Sequence, residues 1–223
     1  MKKINLRLPE IVRYAPRAGG SGIRAVFIDK DGTLIKDVPY NVDPSLIVFE
    51  DGAADALRIL KKNNFLLIVV SNQPGIAKGF FSIRDLEIVY TAIQQKLSQS
   101  NVQLDAFYYC PHFEEGAVQQ FVIDCDCRKP KPGLLLTAAK DFDIDLRQSW
   151  MIGDILDDIE AGNTAGCKTI LLDNGNETEW QMDEKRTPAF KVMSLTEAAQ
   201  IIQEASNSIP PKRNYERKRL KRE

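Results

Sequence analysis

Residues 27–34 read Phe27-Ile28-Asp29-Lys30-Asp31-Gly32-Thr33-Leu34. A short apolar run, residues 25–28, ends in two aspartates one residue apart and then turns on a glycine. Short continuous apolar runs bounded by turn residues are the mark of strands buried on both faces of a parallel sheet. Carboxylates this close repel each other, so such a pair persists where a cation sits between the two or where both do chemistry. The same pattern returns at residues 150–154, Trp-Met-Ile-Gly-Asp, and a related one at residues 65–71, where Phe-Leu-Leu-Ile-Val-Val runs into Ser71. Residues 107–110 and 168–172 are further candidate strands. Between them lie amphipathic stretches at 52–63, 82–100, 132–142, 157–164 and 194–205, with Ser82 a plausible helix N-cap and Asp85 three positions on. Strands alternating with helices predict a parallel sheet covered on both faces. In such sheets ligands bind outside the carboxyl ends of the strands. Asp29, Asp31, Ser71 and Asp154 would share that edge.

The size, 223 residues, is sufficient for a sizeable core, and 43% hydrophobic with 27% charged residues is the composition of an ordinary globular protein. The apolar run at 65–70 is far too short to cross a bilayer, and residues 1–17 are basic without the apolar stretch of a secretory signal. These features predict a cytoplasmic protein with no membrane partner. The net charge of −1 is uneven: residues 210–223 hold seven Lys/Arg against two Glu. A run of this kind predicts a solvated tail; its sharper reading is a contact with nucleic acid through phosphates.

Three carboxylates gathered at adjacent strand ends need a cation, and hard oxygen ligands suit Mg²⁺, which is most at home beside a phosphate oxygen. A carboxylate facing a phosphoryl group can attack it, and a second carboxyl two residues on can protonate the leaving oxygen and then activate water. Ser71 and the N–H groups after it supply donors for phosphoryl oxygens, and Lys129 the compensating positive charge.

Cys110 and His112, then twelve residues, then Cys125 and Cys127 bring three thiolates and the chain's single histidine together. That donor set is that of a closed structural Zn²⁺ site, with no open position for water. Pinning the loop 110–127 with a metal would replace a core it lacks, and would deliver Arg128 and Lys129 to the phosphate site. Cys167 stands apart and reads as core.

The joint pattern resembles the haloacid dehalogenase (HAD) superfamily. Asp29-x-Asp31-Gly32-Thr33 is similar to its first motif, Ser71 to the second, Lys129 to the third, and Gly153-Asp154 with Asp158 to the fourth, over residues 24–205. The resemblance implies a Rossmann-like, doubly wound α/β sheet without a large cap domain. It implies Asp29 as nucleophile, Asp31 as general acid/base, and Mg²⁺ held by Asp29, the backbone carbonyl of Asp31, and Asp154. Asp158 would orient that set, and Asp157 reads equally as a helix N-terminal charge. The loop Cys-x-His…Cys-x-Cys-Arg-Lys-Pro looks like the branch that holds heptose bisphosphate phosphatases and histidinol phosphatases, and its twelve-residue spacer is similar to the former. A phosphatase acting on a sugar bisphosphate follows, with Asn72, Lys78 and Arg128 as candidate substrate contacts; histidinol phosphate and phosphorylated nucleic-acid ends are the alternatives. The residue after Asp154 is Ile155, where relatives often have a basic side chain. The expected layout is an extension at 1–23, the catalytic domain at 24–205 and a basic tail at 206–223, in a monomer.

Overall fold

A computed structural model of the chain describes residues 2–3 and 22–207. Seven strands form one sheet: β1 (Lys2–Lys3), β2 (Arg24–Ile28), β3 (Phe65–Asn72), β4 (Ala106–Cys110), β5 (Trp150–Gly153), β6 (Lys168–Leu172) and β7 (Phe190–Val192). Their spatial order is β1-β4-β3-β2-β5-β6-β7. All neighbouring pairs are parallel except β1, which lies antiparallel against β4 at the edge. The doubly wound sheet expected from the alternation is therefore present, extended by two short edge strands. The chain runs from β2 outward through β3 to β4, then returns to β5 on the other side of β2. That reversal leaves a crevice between the ends of β2 and β5, the place where open α/β sheets bind ligands.

Side chains alternate along each strand and so feed two cores. Val26, Ile28, Leu67, Val69, Phe107 and Ile152 face α1 (Ala53–Lys62), α3 (Ile83–Ser98) and α6 (Leu195–Asn207). Ala25, Phe27, Ile68, Val70, Tyr108 and Met151 face the other way, onto α4 (Gly133–Phe142) and α5 (Leu156–Ala165). Both faces are buried, which is why these strands read as unbroken apolar runs. Helix α3 begins with a reciprocal cap, Ser82 Oγ taking the Asp85 N–H and the Asp85 carboxylate taking the Ser82 N–H at 2.8 Å. A four-residue helix, α2 (Gly75–Lys78), follows β3 directly.

Helix α6 runs two residues past the expected domain end, to Asn207. Most of the expected extension, and the basic segment from Lys212 to Arg222, lie outside the described residues. Among the described residues no helix is long and apolar enough to cross a membrane.

Candidate active site

Asp29 follows β2 directly and is anchored by its own backbone, whose N–H donates to Ile152 O on β5 at 3.0 Å. Asp154 follows β5, so the two carboxylates meet across the strand pair at the switch point. The Thr33 hydroxyl and the Asn176 amide each donate to Asp154 at 2.8 Å. Between these residues the chain passes Gly32 with φ +78°, and a Cβ there would lie 2.1 Å from an Asp154 oxygen. Only glycine fits both the left-handed turn and the approach of the carboxylate. Asp158, on the first turn of α5, is fully buried beneath the pair. One of its oxygens takes the Ile155 N–H at 3.4 Å and the other the Lys129 ammonium.

Lys129 is the hub of the arrangement. It is 2% exposed, and its ammonium donates to Asp29, to Asp158 and to Val70 O at 3.1 Å. Its backbone is held at two points by Asn72 on β3: the Lys129 N–H donates to Asn72 Oδ1 at 3.0 Å, and Asn72 Nδ2 to Lys129 O at 2.9 Å. Asn72, expected to touch substrate, thus presents its amide to the lysine's peptide, while still lining the adjoining cavity.

Oxygens of Asp29, Asp154 and Asp158 lie within 4.8 Å of one another. One ammonium cannot neutralise three buried carboxylates. Burial, opposed by Lys129 and reinforced by the neighbouring carboxylates, pushes Asp29 up to about 7 and Asp158 up to about 6. Burial and the Asp29 charge likewise push Asp154 up to about 6, against the hydrogen bonds from Asn176 and Thr33. Burial alone would lower Lys129, but Asp158 and Asp29 outweigh it and raise it. Lys129 sets one positive charge against three buried carboxylates, a deficit that a divalent cation would make good.

The Asp31 carboxylate is not among these oxygens. It takes the Lys30 ammonium on one oxygen and Gln73 Nε2, at 3.1 Å, on the other. Gln73 Nε2 also donates to Ser71 Oγ at 2.8 Å. Beyond Asp31 opens a cavity of about 260 Å³, lined by Asp37, Tyr40, Asn41 and Gln73 among others. At its rim the Lys78 ammonium donates to the Tyr40 hydroxyl at 2.7 Å and sits 4.7 Å from the centre of the Phe113 ring. The Arg128 guanidinium sits 5.1 Å from the same ring, and its Nη1 is buried without a hydrogen-bond partner. Asp157 points elsewhere, to Arg186 at 3.0 Å. Ile155 forms the N-cap of α5 and brings no charge.

The second cluster is equally compact. Sγ–Sγ distances are 3.6 Å for Cys110–Cys125 and 3.3 Å for Cys127–Cys125; His112 Nδ1 lies 3.7 Å from Cys110 Sγ and 3.4 Å from Cys127 Sγ. A tetrahedral centre with Zn–S of about 2.3 Å and Zn–N of about 2.05 Å requires separations of about 3.8 Å (S–S) and 3.5 Å (S–N). Hydrogen bonding within the cluster, from Cys110 foremost, lowers Cys127 and favours its thiolate. Cys167 is buried in the second core, and burial alone pushes its thiol up to about 12, in keeping with an inert core residue.

Sequence reading did not single out Thr33, Gln73 and Asn176. Thr33 lies inside the first motif and Gln73 two residues past Ser71, so proximity was their only signal. Asn176 sits in a loop without pattern.

The HAD-hydrolase-like family model matches residues 126–198. The Escherichia coli (strain K12) D-glycero-β-D-manno-heptose-1,7-bisphosphate 7-phosphatase is 43% identical over 150 residues, which are 67% of this chain and 78% of that protein. The chain is a HAD-superfamily phosphatase. The phosphatase of the same name from Pasteurella multocida is 40% identical over 80% of this chain and 96% of its own length. The D,D-heptose 1,7-bisphosphate phosphatase from B. bronchiseptica, solved in complex with magnesium and phosphate, superposes with a TM-score of 0.66. It is 27% identical over 82% of this chain and 99% of that one.

Proposed function

We propose that this phosphatase removes the 7-phosphate of D-glycero-D-manno-heptose 1,7-bisphosphate through an aspartyl-phosphate intermediate. The observation that carries the reading is Asp29 and Asp154 meeting at the switch point around Lys129, in a chain that aligns with most of the length of heptose bisphosphate phosphatases. Asp29 attacks phosphorus, forming an Asp29 Oδ–P bond as the bond to the sugar oxygen breaks; Asp31 gives that oxygen its proton. Asp31 then takes a proton from water, whose oxygen attacks phosphorus and returns the Asp29 carboxylate with release of phosphate. Ser71 donates to a phosphoryl oxygen. Lys129 holds Asp29 in place and offsets the repulsion between nucleophile and phosphate.

The charge deficit around Asp29, Asp154 and Asp158 fits Mg²⁺. Asp29, Asp154 and the backbone carbonyl of Asp31 would hold the ion, with Asp158 orienting Lys129. When bound it supplies Lewis-acid polarisation of the phosphoryl group. The spacings at Cys110, His112, Cys125 and Cys127 fit structural Zn²⁺, which would fix the backbone two residues before Lys129.

The cavity beyond Asp31 supports a sugar as the leaving group. Asp37, Asn41 and Tyr40 offer acceptors and donors for hydroxyls, and the carboxylates disfavour a polyanion there. The second phosphate of the substrate would meet Lys78 and the unpartnered Nη1 of Arg128 instead. The test compares kcat/KM for heptose bisphosphate, histidinol phosphate and a 3′-phosphorylated oligonucleotide, each with Mg²⁺. A preference for the heptose of about a hundredfold, ~2.7 kcal/mol in the transition state, is expected. Parity among the three would remove the substrate assignment and leave the phosphatase chemistry in place.

A further inference from the structure

Tyr90 lies on α3, wholly buried, and its hydroxyl has no hydrogen-bond partner. Its ring stacks on Phe107 at 4.2 Å. Phenylalanine would make the same stack without leaving a polar atom unpaired, so packing does not account for the hydroxyl. The sheet register explains where it ends. Tyr109, 6.4 Å from Tyr90 between ring centres, is directly opposite Ser71 in the β3–β4 ladder. Along β3, Leu67 and Val69 face α3, and two-residue alternation sends Ser71 to that same face. Ser71 is 1% exposed and takes Gln73 Nε2 at 2.8 Å, while the alternation of β3 turns it toward the α3 face. Burial, the charges of Asp31 and Asp29, and the opposing Ser71 hydroxyl all act on the Tyr90 phenol, which is held firmly protonated.

A serine hydroxyl has one proton to give and two lone pairs to receive. Gln73 Nε2 occupies one lone pair. If Ser71 gave its proton to Tyr90, the tyrosine proton would be left with no acceptor in the core, and a phosphoryl oxygen would face a serine without a proton. If Tyr90 donates to the second lone pair, every donor is used and the serine proton points out of the floor. We propose that Tyr90 is a positioning residue that donates to Ser71 Oγ and, with Gln73, aims the Ser71 proton at the phosphoryl oxygen. The proposal rests on the reading of Ser71 as a phosphoryl-oxygen donor.

The test uses Tyr90→Phe in the full chain, with p-nitrophenyl phosphate as substrate and inorganic phosphate as competitive inhibitor, so that it is independent of the natural sugar. Expected are a fall in kcat/KM of about tenfold, ~1.4 kcal/mol, and a rise in KM and in the phosphate Ki of about three- to tenfold. The melting temperature should be nearly unchanged, because Gln73 still donates to Ser71 Oγ and the phenylalanine leaves no buried donor unpaired. A purely structural tyrosine would give the opposite: a lower melting temperature with Ki unmoved. In a Ser71→Ala background, Tyr90→Phe should change Ki no further. Wild-type Ki in Tyr90→Phe, with a raised Ki in Ser71→Ala, would overturn the role of Tyr90 alone. Wild-type Ki in Ser71→Ala would overturn the reading of Ser71 and this proposal with it.

Discussion

Replacing Asp154 with asparagine should make the metal-free protein more stable while abolishing its activity. The carboxyl of Asp154 is raised from 3.8 to about 6, mainly by burial and by the charge of Asp29. At 1.36 kcal/mol per pH unit that rise corresponds to about 3 kcal/mol held against folding once the group is ionised. Because the folded state binds the proton more tightly than the unfolded chain, the stability it confers is whole below pH ~4. It is lost as pH rises through about 6. Asparagine is neutral throughout. Its oxygen can accept from Thr33, and Asn176 can turn its amide to accept from the new NH₂, so the pocket keeps its hydrogen bonds. The two proteins should therefore melt alike near pH 4 and diverge by pH 7.5, with the variant higher. A gain of ~2 kcal/mol would raise the melting temperature by roughly 4–8 °C for a domain of this size. Thermal scans from pH 4 to 8 should be run in magnesium-free buffer without chelator, so that the thiolate cluster is undisturbed. Adding Mg²⁺ at pH 7.5 should raise the wild type and not the variant, by mass action on the folded state. A variant equal to or less stable than wild type at pH 7.5, or a gap independent of pH, would refute the charge-deficit account.

Lys129→Met keeps the length of the side chain and removes its charge, leaving Asp29 and Asp158 buried without a cation. We expect a loss of about 3–5 kcal/mol in urea unfolding at pH 7.5, shrinking toward pH 5 as the carboxylates take up protons; wild-type stability at pH 7.5 would contradict it. Asp29→Asn should end turnover with fold and zinc content intact, and residual turnover at wild-type rates would dismiss Asp29 as nucleophile. Cys125→Ser should cost at least the 10–100-fold in zinc affinity typical of changes around a metal, with activity falling alongside. Full activity in protein shown by elemental analysis to lack zinc would rule out the loop's supporting role.

The five central strands were legible because each is buried on both faces and so reads as an apolar run. The edges were not: two of the three residues of β7 are exposed, and β1 is two residues paired antiparallel to β4. Neither has the pattern that burial imprints. In the site, strand ends and motif order pointed to Asp29, Asp154, Ser71 and Lys129, and the structure sets Asp29, Asp154 and Lys129 together at one crevice. Gln73 and Asn176 were missed because an amide's role depends on which carboxylate the fold sets beside it. The arrest of Asn72 on the Lys129 peptide could not be read either, since the two positions are 57 residues apart.

The pairing of β2 with β5 has a consequence for how the enzyme comes into being. The Thr33–Asp154 contact joins residues 121 apart in the chain, and Lys129 reaches Asp29 across 100. A growing polypeptide that has emerged only as far as β4 already carries Asp29, but lacks Lys129, both of the other clustered carboxylates, Asp154 and Asp158, and the strand β5. No chain that ends before β5 gathers the three acids in one place. Catalytic competence should switch on in a single step, after roughly two thirds of the protein has been synthesised and β5 has docked beside β2.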